Sequence, residues 1–313
     1  MAGSGDLLAD RRYAYADAAL ADGDHEAAAD LARQTIELAP SFPAAWFLLG
    51  RAREAQARRA EGSVAADRRR EAVAALEKAR ALDPEDRLGA GVRLALLDVM
   101  PPSAAMSAGY VRALFDEYAI RFDRHLTKSL AYRGPDLLHS AVRRACSLRL
   151  RDFRFGRALD LGCGTGLAGE VFRAQCDILI GVDLSPAMVR RAEAKRIYDE
   201  LHVADLVPWL DARPAGEADL ALAADVFVYI GDLAPAFRGV ARALRPGGLF
   251  AFTVQAHGGE GVALGQDHRF AHGRDYLCRE LAASGLTTAL SEDVVTRKDR
   301  DRDVPGLLIV AGC

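Results

Sequence analysis

Residues 157–172, RALDLGCGTGLAGEVF, constrain this chain more than any other stretch. Ala158, Leu159 and Leu161 have the apolar character of a short buried strand. Gly162, Gly164 and Gly166 then interrupt it, and residues 167–175 resume as a helical run. A strand that stops at glycines and feeds a helix presents bare backbone N–H groups and the positive end of a helix dipole to a ligand. Without Cβ atoms the glycines also let that ligand approach the backbone closely. Asp160, at the strand end, adds a fixed negative charge beside the nest. The pattern predicts a site for a nucleotide-like cofactor.

The segments that follow repeat the theme of an apolar run ending in an acid. Residues 178–183 (ILIGVD) predict a second strand, and Ser185-Pro186 supplies the cap and first residue of a helix over 187–199. Asp183 thus falls at the carboxyl end of the second strand, where a carboxylate can accept from both ribose hydroxyls. Residues 201–205 (LHVAD) predict a third strand, with Asp205 placed to hold an adenine amino group. Met188 either packs on the adenine face or fills the core. Residues 219–224 (DLALAA) predict a fourth strand followed by Asp225, Asp232 caps a helix over 233–244, and 249–254 predict a fifth strand after the turn RPGG. Alternating strands and helices imply a doubly wound, mostly parallel sheet with its ligands at the carboxyl ends of the strands. After a helix over 275–284, strands over 287–297 and 306–311 are joined by a turn too short for a crossover helix, so they pair antiparallel. The expected fold is α/β: a doubly wound, mostly parallel seven-stranded sheet with a C-terminal antiparallel hairpin, preceded by an all-α helical-repeat domain.

That first domain is expected over residues 1–102. Residues 20–40 and 69–84 are Ala-rich helices that each end at a proline, and between them PAAWFLLG places Trp46, Leu49 and Gly50 at the spacing of a repeat's first helix. With Ala72, Ala79 and Pro84 this resembles tetratricopeptide repeats, although Pro40 to Pro84 exceeds the usual unit. The excess falls either in the charged stretch 58–70 or in longer flanking helices, and 85–100 is expected as a closing helix. Such an array implies a docked protein partner, self-association or a helical cap on the second domain. A bridge over 103–150 and a catalytic domain over 151–313 complete the division. In the bridge, Leu114, Phe115, Tyr118, Phe122 and Leu126 form a stripe at helical spacing. The stripe predicts core packing, or a lid formed with Tyr110 and Tyr132.

The motifs DLGCGTG, GVDLS, VADL, the Asp225 loop and LRPGG, in this order, resemble class I S-adenosylmethionine-dependent methyltransferases over residues 105–313, and the whole chain resembles a bacterial group that adds N-terminal tetratricopeptide repeats. The resemblance implies that Asp160 with Gly162, Gly164 and Gly166 holds the methionine part of S-adenosylmethionine. It implies Asp183 with Leu184 for the ribose, Asp205 with Leu206 and Met188 around the adenine, and Asp225 lining the methyl-transfer site. The acceptor is expected to be a small molecule or a group on a carrier protein or peptide. Methyl transfer needs a base only if the acceptor must lose a proton. The candidates are Asp225, Tyr118 and His272, with His257 and Tyr229 behind them, and the glycine-rich segment 257–272 is expected as a substrate loop. Two rivals stand: a non-catalytic cofactor-binding scaffold, and an NAD(P)-dependent oxidoreductase, since Gly164, Gly166 and Gly169 also spell the dinucleotide fingerprint.

A net charge of −3 gives no general pull toward nucleic acid or anionic membrane. The five scattered cysteines form neither a zinc pattern nor a disulfide framework. No apolar run has the length of a membrane span, so the expectation is a cytoplasmic protein with no metal.

Overall fold

The computed structural model describes residues 3–119, 122, 132–299 and 302–313. The chain divides into two compact units, with the boundary between Tyr110 and Val111.

The first unit is helical: α1 (Leu7–Ala21), α2 (His25–Leu38), α3 (Pro43–Ala57), α4 (Gly62–Leu82) and α5 (Ala90–Leu96). Asp6 and Asp24 accept from the free N–H groups that open α1 and α2, and Pro43 starts α3, where its missing N–H costs nothing. Alanines 16, 28, 29, 32 and 52 close around Leu48 in a fully buried cluster. Small residues let the helix axes come near, and Gly50 is the extreme case. A Cβ there would lie 2.7 Å from the Leu76 side chain. The charged stretch expected as a possible turn is mostly helix, since α4 begins at Gly62 and runs for 21 residues. The closing helix expected over 85–100 is confined to α5. Asp86, at φ 48°, turns the chain and accepts from the Ala90 and Gly91 N–H groups at 2.7 and 2.8 Å, which delays the helix start.

The boundary falls within α6 (Ala108–Tyr118), and α7 (Gly134–Leu148) leads into the sheet domain. There follow β1 (Phe155–Leu161), α8 (Leu167–Phe172), β2 (Cys176–Asp183), α9 (Pro186–Lys195), β3 (Glu200–Val203), α10 (Leu206–Asp211), β4 (Ala218–Ala223), α11 (Ala234–Ala243) and β5 (Leu244–Ala256). The chain ends with β6 (Val262–Leu264), β7 (Phe270–His272), α12 (Arg274–Ala283), β8 (Thr287–Asp299) and β9 (Arg302–Gly312). β3, β2, β1, β4 and β5 lie side by side, all parallel, and β9 then pairs antiparallel with both β5 and β8. Among the described residues the sheet has nine strands rather than seven. The two additional strands come from the segment expected to be a loop: β7 meets β5 through Gln255–Ala271 and Ala256–His272, and β6 folds back on β7.

Period-two alternation sorts the strand side chains between two cores. Leu159, Leu161, Ile180, Val182, Ala221, Phe250 and Phe252 face α10, α11 and α12 through Leu210, Phe237 and Leu277. Ala158, Leu179, Leu220, Leu222, Leu249 and Ala251 face α7 and α8 through Leu138, Val142 and Phe172. Burial on both faces explains why the central strands read as continuous apolar runs. Among the described residues, no helix is long and apolar enough to cross a membrane.

Candidate functional site

The glycine loop leaves β1 with left-handed backbone at Gly162, Gly164 and Gly166 (φ 67°, 54° and 92°), a region that side chains with a Cβ rarely enter. Close packing adds to this constraint. A Cβ on Gly162 would lie 2.6 Å from Val226, and one on Gly169 would lie 2.3 Å from the Tyr198 hydroxyl. Tyr198 falls inside the helix expected over 187–199, but that helix ends at Lys195, so Tyr198 lies in the link to β3, and the sequence pattern assigns it no site role. Its ring covers Gly166 and Gly169, and its hydroxyl donates to Asp160 at 2.6 Å. The third glycine of the apparent dinucleotide fingerprint therefore makes room for this ring. Asp160 is 1% exposed. Burial pushes its carboxyl up to about 6, against the pull of the Tyr198 hydrogen bond.

Asp183 stands opposite. Its Oδ2 accepts from the Gly164 N–H at 2.9 Å and its Oδ1 from the Ser185 N–H at 2.8 Å, so the glycine loop and the end of β2 are tied through one carboxylate. Burial raises the Asp183 carboxyl, the two backbone donors oppose this, and the charge of Asp116 adds to the rise. Ser185 caps α9 by accepting from the Met188 N–H. Asp205 caps α10 through the Val207 N–H at 3.1 Å and is otherwise exposed, with half-buried Leu206 beside it. Leu184 is likewise half-buried. Met188 is fully buried, so in this arrangement it has no surface to offer an adenine ring and serves as core.

At the end of β4 the chain turns through Asp225, whose φ of 60° is tolerated by aspartate better than by most residues. Both carboxylate oxygens accept from one nitrogen of Arg297, at 2.7 and 3.0 Å. Arg297 is 1% exposed, donates also to Gln255 at 2.8 Å, and keeps a buried Nε with no partner among the described residues. Arg269 approaches the same place. Burial opposes its charge, but Tyr229 and Asp225 outweigh that and hold its guanidinium more firmly protonated. Tyr132 is pushed well above the usual phenol range by burial first and the Asp225 charge second.

These placements change the reading of the base candidates. Asp225 is compensated by Arg297. His272 lies on β7, not in a loop, and is fully buried. Its Nε2 is 3.1 Å from the Ile230 carbonyl, its ring stacks on Tyr276, and burial lowers its pKa to about 4. His257 is engaged by its own turn, through the Gly259 N–H and the Gly261 carbonyl. Tyr118 packs edge-on against Phe122 at 5.3 Å, and Tyr229 against Phe115 at 5.0 Å. Asp225 and both histidines are thus engaged by other groups of the chain, and burial makes His272 a weak base. Of the aromatic stripe, Phe122 faces Gly164 and Leu114 is 38% exposed, while Leu126 lies outside the described residues. Tyr110 belongs to the first unit, its ring against Gly89.

Bare backbone at Gly164, where an added Cβ would meet nothing nearer than Phe122 at 3.8 Å, together with carboxylates at the ends of β1, β2 and β3, suits a ligand bearing an ammonium, ribose hydroxyls and an exocyclic amine. Residues 159–252 match a family model described as a methyltransferase domain. A malonyl-[acyl-carrier protein] O-methyltransferase of Enterobacter lignolyticus (strain SCF1) is 30% identical over 194 residues, covering 61% of this chain and 70% of that protein. The enzyme of the same description from Pseudescherichia vulneris is 31% identical over 150 residues, covering 47% of this chain. The chain spans about half (54%) of that relative's length. The N-methyltransferase NodS from Bradyrhizobium japonicum WM9, solved with S-adenosyl-L-homocysteine, aligns with a TM-score of 0.48 at 19% identity over 64% of this chain and 97% of its own.

Proposed function

The chain belongs to the S-adenosylmethionine-dependent methyltransferases, and on that premise we propose that it methylates a carboxylate oxygen of a short acid carried as a thioester on an acyl carrier protein. The observation that carries this reading is the engagement of Asp225 by Arg297 and of both histidines by backbone, with His272 pulled down to about 4. With these three side chains engaged among the described residues, the site suits an acceptor that is already a nucleophile, and a carboxylate is deprotonated at neutral pH without help. Two guanidiniums near one half-buried aspartate favour an acceptor that brings a negative charge. The relatives' names supply the carrier.

The bound cofactor supplies an electrophilic methyl group on a sulfonium. The chain's own task is alignment to about 3–3.5 Å and exclusion of water. Asp183 orients the ribose, Asp205 and Leu206 the adenine, and Asp160 with the glycine loop the methionine end. Arg269 and Arg297 orient the acceptor from the far side. We also propose that the first unit is a tetratricopeptide-like array, of the kind carried by a bacterial group of methyltransferases, and that it docks the carrier protein. The test is labelled cofactor offered with malonyl-, acetyl- and hydroxyacyl-carrier proteins and with phenol and amine acceptors. Labelled methyl ester on the malonyl carrier alone is the expected product. Transfer to a phenol or amine, with none to malonyl carrier, overturns the reading.

A further inference from the structure

Asp116 lies on α6, far in sequence from the glycine loop and the strand ends, yet its carboxylate reaches the segment that follows β2. Its Oδ1 accepts from the Ser185 hydroxyl at 2.6 Å and from the Ala187 N–H at 3.2 Å. Ser185 accepts in turn from the Met188 N–H at 3.1 Å and donates its own N–H to Asp183 at 2.8 Å. One carboxylate brought in by α6 therefore completes the cap of α9 and holds the residue whose amide orients Asp183. The neighbouring residue, Phe115, packs edge-on against Tyr229 beyond β4 at 5.0 Å and against Phe122 at 6.0 Å. Phe122 is the ring that faces Gly164. Two successive residues of α6 thus grip the segment after β2 and the turn beyond β4.

Asp116 and Asp183 also bring two negative charges to one short segment. That pairing is tolerable because the Ser185 hydroxyl and N–H and the Gly164 N–H supply donors to them. Ribose hydroxyls add further donors at the same place. We propose that Asp116 is a positioning residue that fastens α6 over the bound cofactor, acting through Ser185 on Asp183, and thereby sets the rate at which the spent cofactor leaves. This rests on the assignment of Asp183 to the ribose. A ligand enclosed between α6 and the glycine loop departs only when α6 parts from Ser185, and hydrogen bonds to a charged acceptor resist that parting.

The experiment is the dissociation of S-adenosylhomocysteine from the full-length chain, followed by rapid displacement, for wild type, Asp116→Ala and Asp116→Asn. Losing hydrogen bonds to a charged acceptor predicts dissociation about tenfold to a hundredfold faster in Asp116→Ala, with the association rate little changed. Asp116→Asn keeps an oxygen that accepts from both donors, so it falls between wild type and Asp116→Ala. A purely structural role would lower the thermal midpoint without this ordering. Should Asp116→Ala not fold, a severalfold faster rate in Asp116→Asn is the expected result, and a wild-type rate overturns the proposal. It is also overturned by an unchanged rate in a folded Asp116→Ala. Asp183→Ala separates the two levels: if that variant binds S-adenosylhomocysteine normally, the ribose assignment fails and takes this proposal with it. If it loses binding while Asp116→Ala releases at the wild-type rate, only the latch is refuted.

Discussion

Asp160 and His272 are buried ionisable groups displaced in opposite senses, and each makes a pH-dependent prediction. Burial holds Asp160 near 6, so between pH 5 and 7 it passes from mostly protonated to mostly ionised. If its charge meets the cofactor's ammonium, affinity for S-adenosylhomocysteine, measured by calorimetry, should rise over that interval. Tyr198→Phe removes the donor that favours the ionised form and should move the rise to higher pH. For His272 the folded pKa lies below the unfolded one, about 4 against 6.5. The native state then binds fewer protons in that window, so the contribution to stability is complete above pH 6.5 and is lost as pH falls through 4. The difference approaches about 3 kcal/mol. Urea unfolding of His272→Gln against wild type at pH 7 and pH 4.5 should show the gap between them narrowing at low pH. Asp160 and Asp183 were legible in the sequence because each ends an apolar run. Tyr198, Arg297 and Asp116 were not, because their partners lie 38, 72 and 69 residues away and no local pattern records such a distance.

At the scale of elements, the ion pair between Asp225 and Arg297 joins the end of β4 to β8. Removing one partner leaves a charge in a buried place, which costs about 3–5 kcal/mol, whereas removing both charges leaves none unpaired. Arg297→Ala should therefore lower the midpoint of thermal unfolding markedly, and Asp225→Asn combined with Arg297→Met should recover much of the loss. Equal losses in the single and double variants would assign the effect to packing. The five parallel strands were readable as apolar runs bounded by glycine, proline and acids. β6 and β7 were not, since three residues apiece are too few to show alternation and Gly258, Gly259, Gly261 and Gly265 around them have the composition of a loop. α10, six residues long, is equally short of a helical period, and Gly134 and Pro135 at the start of α7 concealed where that helix begins.

For the whole molecule, each unit has its own buried clusters: those of residues 138–311 lie wholly in the second, those of Ala9–Leu94 in the first. A chain of residues 111–313 should therefore fold and bind S-adenosylhomocysteine with an affinity close to that of the full chain. If the helical unit docks the carrier protein, the shortened chain should methylate malonyl-carrier at least tenfold more slowly (about 1.4 kcal/mol) while its rate on malonyl-coenzyme A is unchanged. Equal rates on both acceptors would remove the docking role. The division into helices followed by a sheet was visible in the change of period along the chain. The boundary was not, because α6 is continuous across it and Gly109, just before it, does not interrupt the helix.

The position of β9 has a consequence for how the protein comes into being. It is made after β5 and β8, yet it lies between them and pairs with both. During synthesis β2, β3 and β4, which follow the glycine loop, each leave the ribosome with a pairing strand already made. β8 emerges, by contrast, with no strand to join. Arg297, carried on β8, cannot settle against Asp225 until β9 has been inserted. The glycine loop and its strands can thus assemble on the nascent chain, while the ion pair of Arg297 with Asp225 waits for the last strand, a window in which β5 exposes an unpaired edge to other chains.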